Sequence, residues 1–369
     1  MLPTHPARHI ARLRTLVAVT VAMGAAALVA VLSGCESQVA TPQQAAARFL
    51  GVYAKPNGRV ARLDQGGDTV SEGQAYGLLL AEVAGDSGAF QRIWLWTRDH
   101  LQLGDGLFAF HANKKGEILS PNPASDADLL IAWALLRYRG PGAARWHQDG
   151  YRVADAILAH EVAAGPNGSL VLTAGPWATG SPITINPSYW SLPALDGLAQ
   201  LTGNDEWHRL AVSAVSLTSQ LSTGGRLLPP DWAQLSASWA ATPEPAPDGS
   251  EPQAGYGPNA ERTVVWFAAS CNPHATKLAA RWWRLLRPRH RSQALTLGLN
   301  GAVLDGTGTG VSEVASAAAA HAAGDDAATT RLLHQADDLQ QRFPTYYGGA
   351  WTALGRTLLT SNALGACRH

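Results

Sequence analysis

Helical periodicity runs almost unbroken along this chain and constrains its fold more than any other feature. Apolar residues recur at helical spacing in roughly twelve segments, near residues 42–53, 71–84, 87–102, 125–139, 143–163, 188–202, 204–222, 258–271, 274–287, 310–323, 325–342 and 345–360. Gly, Pro and Asn separate these segments, and no convincing run of period two interrupts them. Six consecutive helix pairs fit an all-α toroid. The 369 residues, 46% of them hydrophobic, are enough for one large core or two ordinary domains.

Two of the predicted helices begin alike. In Val70-Ser71-Glu72-Gly73-Gln74-Ala75-Tyr76-Gly77, Ser71 and Gln74 have the spacing of a capping box, and Ala75, Leu78, Leu79 and Val83 then define one apolar face. In Ala124-Ser125-Asp126-Ala127-Asp128, Ser125 is placed to cap and Asp128 falls at the box position. Glu72 and Asp126 thus occupy equivalent first-turn positions. Each taken alone complements a helix dipole. If the helices are neighbours, the two carboxylates face one cleft, the equipment for hydrolysing a glycosidic bond.

These two motifs resemble glycoside hydrolase family 8, and within it the endoglucanases that accompany bacterial cellulose synthesis. Asn186-Pro187-Ser188-Tyr189, Pro230-Asp231-Trp232 and Tyr346-Tyr347-Gly348 match in order, so the resemblance runs from about residue 45 to the C-terminus. It implies an (α/α)6 barrel whose inner helices point the same way and share one rim at their N-terminal ends. It implies inverting hydrolysis of a β-1,4-linked glycan. Cellulose-type glucan is the default substrate, with xylo-oligosaccharide, mixed-linkage glucan and chitosan as competitors. Glu72 would be the general acid, and Asp126 would hold the sugar ring at the cleavage subsite. Arg262 would pair with one of these carboxylates or line the site. Tyr189 and Tyr347 would bind substrate. Phe110 lies where relatives commonly carry Trp, and is either a sugar platform or core. No cofactor is implied. The partners implied are a β-linked polysaccharide or oligosaccharide and an exopolysaccharide synthesis complex.

The chain departs from the family at Tyr256-Gly257-Pro258-Asn259-Ala260-Glu261-Arg262. Relatives have Tyr-Asp-Ala-x-Arg here, with the Asp as general base. Ala260 and Arg262 match, but Asn259 replaces the Asp, and an amide takes no proton from water. Three readings follow. The base has moved to Glu244, Asp248, Glu251 or Glu261, the last being alternatively a solvated helix residue. Or the enzyme is weak and Asn259 only positions the water. Or the cleft binds polysaccharide without cutting it. The Pro-, Gly- and Ala-rich stretch from Leu221 to Gly257 is expected to be a loop over one face, with a mobile linker as the alternative.

Composition removes other classes. The 28 basic and 28 acidic side chains balance, so nothing steers toward nucleic acid. The 12 His show no HExxH spacing and no CxxC occurs, so no metal site is expected. No G-x-S-x-G elbow is present. The 13 Trp suit sugar stacking and suit a core equally.

Residues 1–34 read as a lipoprotein signal peptide, with Arg8, Arg12 and Arg14 ahead of an apolar run ending Leu32-Ser33-Gly34-Cys35. Cys35 would be lipidated and tie the protein to the membrane; an uncleaved anchor is the alternative. Either places the body outside the cytoplasm, periplasmic or at the cell surface. Residues 35–45 read as a tether and 46–369 as the catalytic domain. Cys271 and Cys367 would remain as an even pair, bridged or as two buried thiols.

Overall fold

The computed structural model describes residues 40–364 apart from 289, 290 and 292. The expectations for Cys35, for the signal segment 1–34 and for Cys367 lie outside the described residues. From Thr41 onward the chain forms one compact unit. Its helices are α1 (Pro42–Tyr53), α2 (Ser71–Ala84), α3 (Ser87–Leu101), α4 (Ser125–Arg137), α5 (Ala143–His160) and α6 (Leu192–Thr202). There follow α7 (Glu206–Leu221), α8 (Pro258–Ala268), α9 (Pro273–Leu286), α10 (Gly310–Ala322), α11 (Asp326–Arg342) and α12 (Tyr346–Thr360).

The helices alternate between two environments. Even-numbered helices other than α6 are almost wholly buried; Ser125 through Leu136 of α4 are all buried, as are Ala260 through Ala268 of α8, whereas α6 buries only Leu192, Ala194, Leu195 and Leu198. Odd-numbered helices carry a narrower stripe. In α11 the buried residues are Ala328, Thr329, Leu332, Leu333 and Ala336, one face at helical period. The contacts follow from this: α2, α4, α6, α8, α10 and α12 touch in sequence, and α12 returns to α2 to close a ring. The odd helices pack outside it. This is the (α/α)6 barrel. Close packing at the ring demands small residues. A Cβ on Gly355 of α12 would come within 2.1 Å of Val314 on α10.

Both expected capping boxes fail. Val70 and Ala124 are the N-caps of α2 and α4, and neither helix has a side-chain cap. Gln74 instead accepts from Val60 N and donates to Thr97 Oγ1, tying α2 to α3 and the preceding loop. Ser125 Oγ donates to Thr173 O, and Asp128 Oδ1 accepts from Phe108 N. These polar groups are fully buried, so each bonds what the barrel wall offers rather than its own helix end.

Three smaller differences concern boundaries and strands. Thr41 caps α1 in a true capping box with Gln44, so helix begins inside the segment expected to be a tether. Ser191 caps α6 ahead of Pro193, and Pro187–Tyr189 forms a separate 3-10 turn rather than joining the helix from residue 188. Among the described residues ten strands of two to four residues also occur between the helices, including β4 (Val162–Ala164), β5 (Leu170–Leu172), β6 (Ile183–Ile185), β7 (Trp232–Leu235) and β8 (Ala241–Glu244). They are too short to show a period in sequence. Strands β6, β7 and β8 form an antiparallel sheet, which gives the Leu221–Gly257 stretch an ordered core. Cys271 is disulfide-bonded. Among the described residues no helix is long and apolar enough to cross a membrane.

Candidate active site

The N-terminal ends of the inner helices meet around one side chain. Arg262, in the second turn of α8, is 1% exposed and points across the mouth of the ring. Its Nη1 donates to Glu72 Oε2 on α2 at 3.0 Å, to Tyr76 OH at 3.1 Å and to Asp126 Oδ2 on α4 at 2.6 Å. Its Nη2 donates to Ser188 Oγ at 2.7 Å and to Asn259 Oδ1 at 2.9 Å. Tyr189 lies under the guanidinium, 5.3 Å from ring centre to Cζ. Tyr347, in the first turn of α12, donates to Pro258 O at 3.0 Å. The expected set of Glu72, Asp126, Asn259, Arg262, Tyr189 and Tyr347 is therefore assembled in one place.

Each group is held by local structure. Asn186 Oδ1 accepts from Ser188 N and Ser188 Oγ, which fixes the hydroxyl that Arg262 uses. Tyr76, four residues after Glu72 and so on the same helix face, receives Trp351 Nε1 at 3.2 Å. Gly73 lets Tyr346 approach; a Cβ there would sit 2.6 Å from the phenol oxygen. Asp231, buried in the loop before β7, accepts from Ala260 N at 2.7 Å and so caps α8 from outside the helix. Burial, reinforced by the Glu251 charge, pushes the Asp231 carboxyl up to about 8 despite these backbone donors.

The two central carboxyls are not equivalent. Desolvation raises Glu72 to about 7, working against the Arg262 charge and helped by Asp126. Its side chain remains 16% exposed, toward the cleft. Burial also raises Asp126, but Asp126 has the shorter contact to Arg262 and accepts from Ala127 N at 2.9 Å. Of the pair, Glu72 has the longer contact to the cation and the more open side chain, so it is the better placed to carry the proton.

Beside this centre lies a groove of about 380 Å³, lined by Phe110, Asn122, Trp177, Tyr189, Trp232 and Asp248 among others. Phe110 faces this groove rather than the core. Trp177 is 46% exposed, with Nε1 held by Pro123 O at 3.1 Å. The candidate replacement bases separate clearly. Glu261 is 1% exposed and turned toward Ser312 and Glu313 of α10; burial holds its carboxyl well above the usual range. It is neither solvated nor in the cleft. Glu244 pairs with Trp232 across β7–β8 and is not part of the groove lining. Glu251 is half-buried beside Asp231 and Asp248. Asp248 lines the groove with Tyr189, and hydrogen bonds from Ser250 hold its carboxyl below the usual range, so it is ionised.

Four groups at the site were not singled out by sequence: Tyr76, Ser188, Trp177 and Trp232. Tyr76 was legible, because the i+4 position shares Glu72's face. Ser188 and Trp232 lie within the quoted motifs, but only the fold shows which atoms they present. Among the described residues no group of His, Cys, Asp and Glu is arranged to hold a metal ion.

The model of the family described as Glycosyl hydrolases family 8 matches residues 16–359. A probable endoglucanase of Novacetimonas hansenii is 34% identical over 201 residues, 52% of this chain and 58% of that protein. An endoglucanase of Cellulomonas uda is 32% identical over 214 residues, 54% of this chain and 57% of that protein. The chain thus spans little more than half the length of these curated relatives. The solved structure of an endo-β-1,4-glucanase from Acetobacter xylinum superposes with a TM-score of 0.69 at 27% identity, covering 86% of this chain and 97% of that one. The family match over most of the chain, on a closed ring of paired helices with two carboxyls and an arginine at its mouth, means that this protein belongs to glycosyl hydrolases family 8.

Proposed function

We propose that this protein is an inverting endo-β-1,4-glycanase, with a cellulose-type glucan as its substrate. The observation that carries the reading is the divided pair at the ring mouth. Burial pushes Glu72 up to about 7, while Asp126 makes the shorter contact to the same guanidinium. A protonated carboxyl and a fixed carboxylate beside an aromatic groove match the requirements of glycosidic cleavage. The relatives' printed names, endoglucanase in each curated case, support glucan over the other β-linked substrates.

In this mechanism Glu72 gives its proton to the glycosidic oxygen as the bond from that oxygen to the anomeric carbon breaks. Water adds to the anomeric carbon from the opposite face and loses a proton to a carboxylate. Asp126 orients the ring, and its hydrogen bonds to sugar hydroxyls strengthen as the ring flattens. Arg262 keeps the two carboxyls apart in charge. Asn259 orients the water through its amide but takes no proton. Asp248 is the base in this reading, because it is the ionised carboxylate from the long loop that faces the groove beside Tyr189.

The test is a reducing-sugar assay on a neutral cellulose derivative, xylan, mixed-linkage glucan and chitosan, with the anomer of the first product read by NMR. Release of an α-anomer from the β-1,4-glucan is the expected result. A retained β-anomer overturns inversion. Binding without release of reducing ends turns the reading into that of a non-cutting relative. Lipidation of Cys35 belongs to the same proposal, and places the enzyme outside the cytoplasm beside an exopolysaccharide synthesis complex. A diacylated peptide beginning at Cys35 in the membrane fraction supports it, and a mature N-terminus elsewhere overturns it.

A further inference from the structure

A second cavity, of about 640 Å³, lies between the β4–β5 hairpin and the end of the β6–β7–β8 sheet remote from the catalytic centre. None of the residues lining it carries a charge. Its polar groups are the hydroxyls of Thr179, Ser181 and Ser236, and its one aromatic group is Trp239. Trp239 sits at the turn between β7 and β8 with φ of 65°, a region that bulky residues rarely occupy. The turn is held by Trp239 N donating to Ser236 O and Ser236 N donating to Ala240 O. The indole lies across Gly165, where a Cβ would come within 2.4 Å of the ring. A strained Trp turned over a glycine, in a solvent-open cavity free of charge, is a costly arrangement unless it binds something.

Two strands link the wall of the cavity to the wall of the groove. Strand β7 begins at Trp232, in the groove, and ends at Leu235, in the cavity; at strand rise this is roughly 10 Å. Strand β6 begins at Ile183, in the cavity, and leads through Asn186 to Ser188 and Tyr189. Trp177 lines the groove and Thr179, two residues on, lines the cavity.

We propose that this cavity is a distal binding site for a neutral β-linked glycan, occupied by the part of the chain that has passed over Trp177; the proposal rests on the glycanase reading above. An indole offers a flat apolar face to the C–H surface of a sugar ring, and the three hydroxyls both donate and accept toward sugar hydroxyls. The lack of any cation in the lining disfavours phosphate or an acidic polymer.

The experiment uses the full chain carrying Glu72→Gln, so that binding is read without cleavage. Retardation in native gels containing hydroxyethyl cellulose is compared with and without Trp239→Ala or Gly180→Glu. Gly180 lines the cavity with open space where its Cβ would be, so the second variant fills the site without disturbing the wall. Each variant is expected to weaken polymer binding about 3–10-fold, the worth of one aromatic contact. If Trp239→Ala unfolds, Gly180→Glu alone gives the answer. Retardation equal to that of Glu72→Gln in both variants overturns the distal site and leaves the glycanase reading standing. No retardation of Glu72→Gln itself on cellulose derivative, xylan or mixed-linkage glucan overturns that reading and the distal site with it.

Discussion

Arg262 Nη2 donates a hydrogen bond to Oδ1 of Asn259 at 2.9 Å, so the position that carries the base in relatives here serves as an acceptor for a buried cation. The same guanidinium already serves Glu72 and Asp126. A carboxylate at 259 would be a third carboxyl on one cation, paired three residues along the helix and held in its weakly basic form. Asn259→Asp is therefore expected to leave activity equal or lower. Asp248→Asn is expected to lower kcat by about 10²–10⁴-fold, the contribution of one general base. Side-by-side kcat values check this, and a large gain from Asn259→Asp would place the base back at the head of α8.

Glu72→Gln is expected to lower kcat by about 10²–10⁴-fold while oligosaccharide binding persists, because the groove aromatics are untouched. Turnover and calorimetric binding of cellotetraose measure the two halves. Near-wild-type turnover would reduce Glu72 to a residue that only complements its helix dipole.

The raised pKa of Glu72 gives a signed pH dependence. Cleavage needs the protonated form, so kcat/KM is expected to fall as pH rises through about 7. Stability follows the same group. Its folded value lies above the ordinary 4.5, so the folded state holds the proton longer and Glu72 erodes stability as pH rises from about 4.5 to about 7. Glu72→Gln removes this loss. Its melting temperature relative to wild type is expected to improve across that window, with an upper bound near ~3 kcal/mol. A pH-independent difference would show that Glu72 is already ionised in the fold.

Arg262→Met leaves two carboxyls facing each other without their cation. Breaking a buried pair on one side costs about 3–5 kcal/mol, so a clear drop in melting temperature is expected. Whatever activity survives should keep its alkaline limb at higher pH, because Glu72 then feels Asp126 without the opposing charge. A thermal scan and a pH–rate profile test both arms. An unshifted limb would mean that Arg262 does not influence the acid.

The helices among the described residues were legible as apolar segments bounded by Gly, Pro and Asn, the outer ones burying one face at helical period; α2 and α8 begin at the expected residues. The motifs holding Glu72 and Asp126 were legible for the same reason, since both head such helices. The reason given for their placement was wrong. Ser71 and Ser125 do not cap: Ser125 Oγ bonds Thr173 O, and Gln74, the partner a box at Ser71 would need, is taken by Val60 N and Thr97, so tertiary contacts override a local rule.

What the sequence determined by itself was local and periodic: helix lengths, their alternation into pairs, the first-turn carboxyls and an amide at 259 where the family resemblance implies a carboxylate. Which loop carboxylate reaches the groove was decided only by the tertiary structure. Glu244, Asp248, Glu251 and Glu261 lie within eighteen residues and are chemically alike in sequence. Pairing of β6, β7 and β8, together with burial of α8 against α10, turns Asp248 toward Tyr189 and Glu261 toward Ser312. Arg262 is the same case. Its five hydrogen bonds join residues separated by up to 190 positions, and only closure of the ring brings them within reach of one guanidinium.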